Sequence, residues 1–140
     1  MTGAWGCVRL ARSISTGSYF AVKIMSKSGL LEEKQADHVY SEKQILFSLK
    51  SDYFVTTHAF LQDSRRIYFV QDFIQGGEFN TLLRRYRKFE PDIAAFYLSQ
   101  LVLSLEHMHS QGICYRDLKP ENILIDHTGF LKVIDMGLSK

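Results

Sequence analysis

Tyr115-Arg116-Asp117-Leu118-Lys119-Pro120-Glu121-Asn122 is the stretch on which the reading of this chain turns. It sets an aspartate, a lysine and an asparagine within eight residues. Asp135-Met136-Gly137 follows close behind, fed directly by the strand-like run Lys132-Val133-Ile134. Carboxylate and amide oxygens are hard ligands that suit a hard divalent cation. A lysine among them adds a positive charge able to meet an anion.

Working outward, the segment before this stretch reads as helical. Pro91 suits the first turn of a helix, and residues 91–110 carry Ile93, Ala94, Ala95, Phe96, Tyr97, Leu98, Leu101, Val102, Leu103, Leu105 and Met108. That distribution is apolar nearly all round, so this helix should be buried on every side. A shorter helix fits 78–87, and Gly76-Gly77 marks a hinge before it. One helical neighbour cannot cover an apolar cylinder, and a monomer tolerates an exposed apolar patch of only a few hundred Å2. The expectation is therefore that further helices follow residue 140.

The first half alternates in strand fashion. Cys7-Val8-Arg9-Leu10 and Tyr19-Phe20-Ala21-Val22-Lys23-Ile24 flank a turn at Ser15-Thr16-Gly17-Ser18, which predicts an antiparallel hairpin. Residues 29–49 carry Leu30, Leu31, Val39, Ile45, Leu46 and Leu49 among charges and predict one helix. Two more strands are predicted near 57–62 and 66–72.

Composition bounds what this protein can be. The 140 residues suit one ordinary domain, and 46% hydrophobic with 23% charged residues is a globular balance. A net charge of +2 is too small to argue for a nucleic-acid or membrane partner. The densest basic run, Arg84-Arg85-Tyr86-Arg87-Lys88, reads as a solvated helix end. Cys7 and Cys114 lack metal-ligand spacing and read as free thiols in a reducing compartment, so the expected address is cytoplasmic. The five histidines form no zinc pattern, and the apolar run near 93–105 is broken by Ser99, Gln100 and Ser104, which argues against a transmembrane span.

Two further constellations bear on chemistry. Gly3-Ala4-Trp5-Gly6-Cys7-Val8 would let backbone N–H groups approach a phosphate, since glycines remove side-chain obstruction. A plain hairpin turn explains the same residues equally well. Lys23 points inward from an apolar strand, and an unpaired buried ammonium is costly, so it needs an anion, either a phosphate or a carboxylate.

Taken together, these motifs resemble a Ser/Thr protein kinase of the AGC group, similar to the cyclic-nucleotide-dependent kinases. The resemblance rests on Tyr115 through Asn122, Asp135-Met136-Gly137, Ala21-Val22-Lys23, Gly3 through Val8, and Tyr68-Phe69-Val70-Gln71-Asp72-Phe73-Ile74-Gln75-Gly76-Gly77-Glu78. It implies an α+β, bilobal kinase-like fold, truncated here: an N-lobe with hinge over 1–75 and the start of a C-lobe over 76–140, with ATP in the cleft. It implies that Asp117 is the catalytic base and that Lys119 neutralises the γ-phosphate. Asn122 and Asp135 would hold Mg2+, and Glu42 would pair with Lys23 to aim it at the α- and β-phosphates. Gly3, Gly6, Val8, Ala21 and Leu124 would belong to the nucleotide site. Backbone groups of Asp72 and Ile74 would meet the adenine, with Gln71 as gatekeeper, and Glu78 would reach the ribose or a basic substrate side chain. Glu78 and Glu121 match positions that recognise substrate arginine, so protein substrates with basic residues near the acceptor are implied. His38 and Arg116 match residues that contact an activation-loop phosphate.

Four departures qualify that resemblance. Met1 stands where the first loop glycine falls, Met136 replaces the phenylalanine of D-F-G, and Gln71 is a polar gatekeeper. The activation loop and later helices of the family lie beyond Lys140, so the chain is expected to be an incomplete kinase and inactive alone, with any regulatory domain or subunit outside it. The alternative is a non-catalytic nucleotide-binding, pseudokinase-like or interaction module.

Overall fold

A computed structural model describes the chain except Met1, Ala4, Trp5, Glu33, Lys34, Leu138 and Lys140, with only the backbone of Thr2 and Gly3. The substitution of the first loop glycine by Met1, and the Ala4-Trp5 part of the glycine loop, thus lie outside the described residues. The chain divides into two compact units, one of residues 1–47 and 56–73, the other of residues 48–55 and 74–140.

The first unit is built on an antiparallel sheet of strands β1 (Thr2–Gly3), β2 (Gly6–Arg12), β3 (Tyr19–Ser26), β4 (Thr57–Gln62) and β5 (Arg66–Asp72), in the order β1-β2-β3-β5-β4. The expected hairpin is β2–β3, with Val8 opposite Lys23 and Leu10 opposite Ala21. On the other side of β3, Ala21 pairs with Gln71 and Lys23 with Phe69, whose ring is wholly buried. Gly6 sits against β3 so closely that a Cβ would lie 2.2 Å from the Ile24 carbonyl oxygen, which leaves room for glycine alone.

The segment expected as one helix over 29–49 is two: α1 (Lys27–Glu32) and α2 (Ala36–Ser48). Leu30 and Val39 are both buried, yet nine residues are about two and a half helical turns. An unbroken helix would turn these two side chains to opposite faces. The break resolves the conflict: the Gln35 N–H closes onto the Leu30 carbonyl at 2.8 Å, and the Gln35 carbonyl accepts the Val39 N–H at 3.1 Å to begin α2. Val39, Glu42, Ile45 and Leu46 then form the buried face of α2. The Lys43 ammonium lies 4.5 Å from the Phe60 ring centre, and Phe60 meets Phe69 edge-on at 5.1 Å, which ties α2 to the sheet.

The second unit holds α3 (Phe79–Tyr86), α4 (Pro91–Ser110), a 3-10 turn at Pro120–Asn122, and a hairpin of β6 (Ile123–Ile125) and β7 (Leu131–Val133). Its core is Phe79, Ile123, Ile125 and Leu131, with Leu82, Leu83, Phe89, Tyr97 and Leu101 packed around them. Residues 48–55 dock on β7, where the Val133 N–H donates to the Tyr53 carbonyl and the Val55 N–H to the Val133 carbonyl. Gly76 passes β6 closely: a Cβ there would fall 2.4 Å from the Ile125 carbonyl oxygen.

Helix α4 begins at Pro91 as predicted, but it is not buried on every side. Ile93, Phe96, Leu98, Val102 and Leu103 are exposed, whereas Gln100, Ser104 and Met108 are buried. Two polar residues face inward because each finds a partner. Gln100 Oε1 accepts the Leu131 N–H at 2.8 Å, its Nε2 donates to the Phe96 carbonyl at 3.1 Å, and Ser104 Oγ donates to the Leu101 carbonyl at 2.8 Å. The spacing of 100, 104 and 108 makes one stripe, so contacts and not hydrophobicity choose the inner face.

Gln100→Leu keeps the side-chain volume but strands the buried Leu131 N–H. Urea unfolding should show a loss of about 1–3 kcal/mol; an unchanged or raised midpoint would remove this hydrogen bond as the anchor of α4.

Candidate functional site

The predicted site residues fall into two sets, one in each unit. In the first unit, Val8, Ala21, Lys23 and Gln71 share one face of the sheet, because directly opposed residues and residues two apart point the same way. Gly3 pairs with Gly6 where β1 meets β2. Lys23 Nζ donates to Glu42 Oε1 at 2.6 Å; the Glu42 side chain is 3% exposed and the Lys23 side chain 23%. A carboxylate this buried requires a cation, and Lys23 supplies it. Gln71 Nε2 donates to the buried Thr57 Oγ1 at 3.1 Å, and the Asp72 carboxylate meets His58 Nε2 at 2.6 Å. Neither Thr57 nor His58 was singled out from sequence, since both partners lie fourteen residues away across β4–β5.

In the second unit, Asp117, Lys119 and Asn122 form one network. Lys119 Nζ donates to Asp117 Oδ2 at 2.7 Å, and Asn122 Nδ2 donates to the same oxygen at 2.8 Å and to the Asp117 carbonyl at 3.0 Å. Both donations come from the nitrogen, so the Asn122 amide oxygen is turned away from Asp117. The Asp117 carboxylate holds the Lys119 ammonium firmly protonated, raising its pKa. The Asn122 carbonyl accepts the Ile134 N–H at 3.0 Å, which brings the Asp135 loop alongside. Asp135 Oδ1 accepts the Gly137 N–H at 3.1 Å. Leu124 lies on β6 opposite Lys132, Glu78 bridges to Leu124, and Ile74 precedes the Gly76-Gly77 turn.

Beneath the network, Tyr115 and Met136 are buried, and Ser139 Oγ donates to the Tyr115 carbonyl at 3.3 Å and lies 3.7 Å from the Met136 sulfur. Met136 thus packs where its departure from D-F-G left the packing open, as an adaptable apolar side chain can. The Tyr115 hydroxyl makes no hydrogen bond to a described group. Burial, and then the charge of Asp135, keep its phenol protonated by raising its pKa. Arg116 adopts φ 62°, the left-handed region that costs a non-glycine residue energy. No sequence signal announces that strain, and it sits beside Asp117. Asn80, also unremarked in the sequence, donates from Nδ2 to Glu121 Oε1 at 3.2 Å.

Among the described residues no three His, Cys, Asp or Glu side chains gather as a metal cluster. Mg2+ commonly keeps several waters and takes one or two carboxylates. The Asp135 carboxylate and the Asn122 amide oxygen are oxygen donors of that kind, and they do not fit a zinc centre.

The protein kinase domain family matches residues 2–140. The chain is 41% identical over 139 residues to a cAMP-dependent protein kinase catalytic subunit of Dictyostelium discoideum, covering 99% of this chain and 22% of that protein. It is 40% identical over 138 residues to a cAMP-dependent protein kinase, catalytic subunit-like, of Caenorhabditis elegans, covering 99% and 35%. It is 39% identical over 139 residues to cAMP-dependent protein kinase type 3 of Saccharomyces cerevisiae, again covering 99% and 35%. The chain spans between 22% and 35% of the length of these curated relatives. With a kinase match along almost all of its length, the chain belongs to the protein kinase family, on the side of the AGC-like Ser/Thr kinases.

Proposed function

We propose that this protein transfers the γ-phosphate of Mg-ATP to serine or threonine hydroxyls of proteins that carry basic residues near the acceptor. The observation that carries the reading is the network in which Asp117 Oδ2 accepts from both Lys119 Nζ and Asn122 Nδ2. The relatives' names, cAMP-dependent protein kinase among them, point the same way.

Phosphoryl transfer asks a protein for positioning and charge neutralisation more than for covalent chemistry. Asp117 receives the hydrogen bond of the acceptor hydroxyl, orients its oxygen and takes its proton late in the transfer. Lys119, already beside that carboxylate, offsets charge on the moving phosphoryl group and on the base itself. Asn122 keeps Asp117 in one rotamer while presenting its amide oxygen, with Asp135, to the metal. Asn122 and Asp135 would hold Mg2+, which would supply charge neutralisation to the phosphates. In the other unit, Lys23 is fixed by Glu42 and serves the α- and β-phosphates, and Gly3, Gly6, Val8, Ala21, Gln71 and Asp72 supply further nucleotide contacts; Ile74 and Leu124 are the second unit's nucleotide residues. Glu78 and Glu121 attract substrate arginine.

No helix among the described residues is long and apolar enough to cross a membrane. Cys7 and Cys114 are unpaired thiols, which suits a reducing, cytoplasmic setting. A regulatory domain or subunit, cyclic-nucleotide-responsive as the relatives' names suggest, would act from outside these residues.

Asp117→Ala in the intact protein should lower transfer of labelled phosphate to a basic peptide by about 10²–10⁴-fold. Transfer at the unsubstituted rate would remove Asp117 as the base. Mg-ATP should raise the melting temperature of the unsubstituted protein more than that of Lys23→Met, by linkage to a tighter nucleotide complex. Equal shifts in calorimetry would take Lys23 out of the phosphate site.

A further inference from the structure

The hydrogen bond between Asn80 and Glu121 joins two side chains whose backbones are each fixed from beneath. Asn80 follows Phe79, a buried member of the core with Ile123, Ile125 and Leu131, in the first turn of α3. Glu121 lies in the 3-10 turn between Pro120, whose ring fixes φ, and Asn122, which is buried and bonded to Asp117. The Asn122 N–H closes that turn onto the Lys119 carbonyl at 3.0 Å. Neither backbone can drift without disturbing buried groups. The 3.2 Å contact from Asn80 Nδ2 to Glu121 Oε1 therefore selects one orientation of an otherwise exposed carboxylate.

The chemistry of the partner matters as much as its position. A lysine or arginine at 80 would hold Glu121 equally well but would cancel its charge. A neutral amide occupies one oxygen and leaves the full negative charge, with Oε2, for another cation. The nearest competing cation in sequence, Lys119, is committed to Asp117. Among the described residues Glu121 forms no ion pair. Its charge is felt nearby all the same, since Glu121 is among the groups that raise the Lys119 pKa.

We propose that Asn80 is a specificity-positioning residue: it pre-orients Glu121 to accept a substrate guanidinium while keeping that carboxylate un-neutralised. This rests on the reading of the protein as a kinase for basic substrates. Because Glu121 is four residues from Asp117 along a constrained loop, fixing its carboxylate also fixes how far the bound arginine stands from the acceptor hydroxyl.

Fluorescence anisotropy with two short labelled peptides tests this, one with two arginines just before its serine and one with alanines in their place. The unsubstituted protein should prefer the arginine peptide, and Glu121→Gln should remove most of that preference. Asn80→Ala should reduce it about two- to tenfold, the range for one lost hydrogen bond, with the alanine peptide unaffected. Asn80→Lys should abolish it. If the unsubstituted protein does not discriminate between the peptides, the basic-substrate reading falls and the role of Asn80 with it. If discrimination is present and lost in Glu121→Gln, but survives intact in both Asn80 variants, Asn80 is not the positioning residue. Equal weakening of both peptides by Asn80→Ala would likewise overturn the proposal, because a merely structural contact would act on both.

Discussion

The side chain and carbonyl of Asn122 hold the second unit's chemistry together. Its Nδ2 fixes the Asp117 carboxylate through two bonds, and its backbone carbonyl accepts the Ile134 N–H that leads into Asp135. One buried amide thereby joins the loop that carries Asp117 and Lys119 to the loop that carries Asp135. A buried polar group must find partners or cost energy. At this position the requirement works as a constraint: the residue satisfies itself only when both loops are in place. The hairpin β6–β7 begins directly at Ile123, so the core of Phe79, Ile123, Ile125 and Leu131 bears on the same point.

The first unit follows an equivalent logic with charge in place of an amide. Glu42 lies on the buried face of α2 and is compensated by Lys23 from the middle of the sheet. Removing either member of such a pair is far more costly than never having had it, because the survivor remains buried. The contact also sets the position of α2 along β3, together with Lys43 over Phe60. In both units, then, the residues proposed for catalysis and nucleotide binding also serve as structural partners of one another, and their geometry is inherited from packing.

Much of this was legible in the chain. The alternation over Cys7–Leu10 and Tyr19–Ile24 gave the central hairpin, the strands near 57–62 and 66–72 coincide with β4 and β5, and Pro91 marks the start of α4. These features depend on neighbours in sequence, through side-chain alternation and fixed φ, and so sequence exposes them. The helix over 29–49 failed because apolar content was visible while its phase was not: Leu30 and Val39 are half a turn out of step. Which residues α4 turns toward this unit's core was not legible either. Apolar residues as a whole outnumber polar ones along it, yet Gln100 and Ser104 face inward, because Leu131 and the helix's own carbonyls offer them hydrogen bonds.

The sequence by itself determined the types and spacing of the groups at the site: Lys23, Glu42, Asp117, Lys119, Asn122 and Asp135. For Asp117, Lys119 and Asn122 it could do so because they share one short loop, where the proposed phosphate and metal chemistry needs particular functional groups close together; Lys23, Glu42 and Asp135 are legible by type within their own local runs. Only the tertiary structure decided which side chains keep company across long separations: Gln71 with Thr57, Asp72 with His58, Leu131 with Gln100, and Glu121 with Asn80 forty-one residues away. Such partners are chosen by the packing of elements remote in the chain, and nothing local to either residue specifies the other.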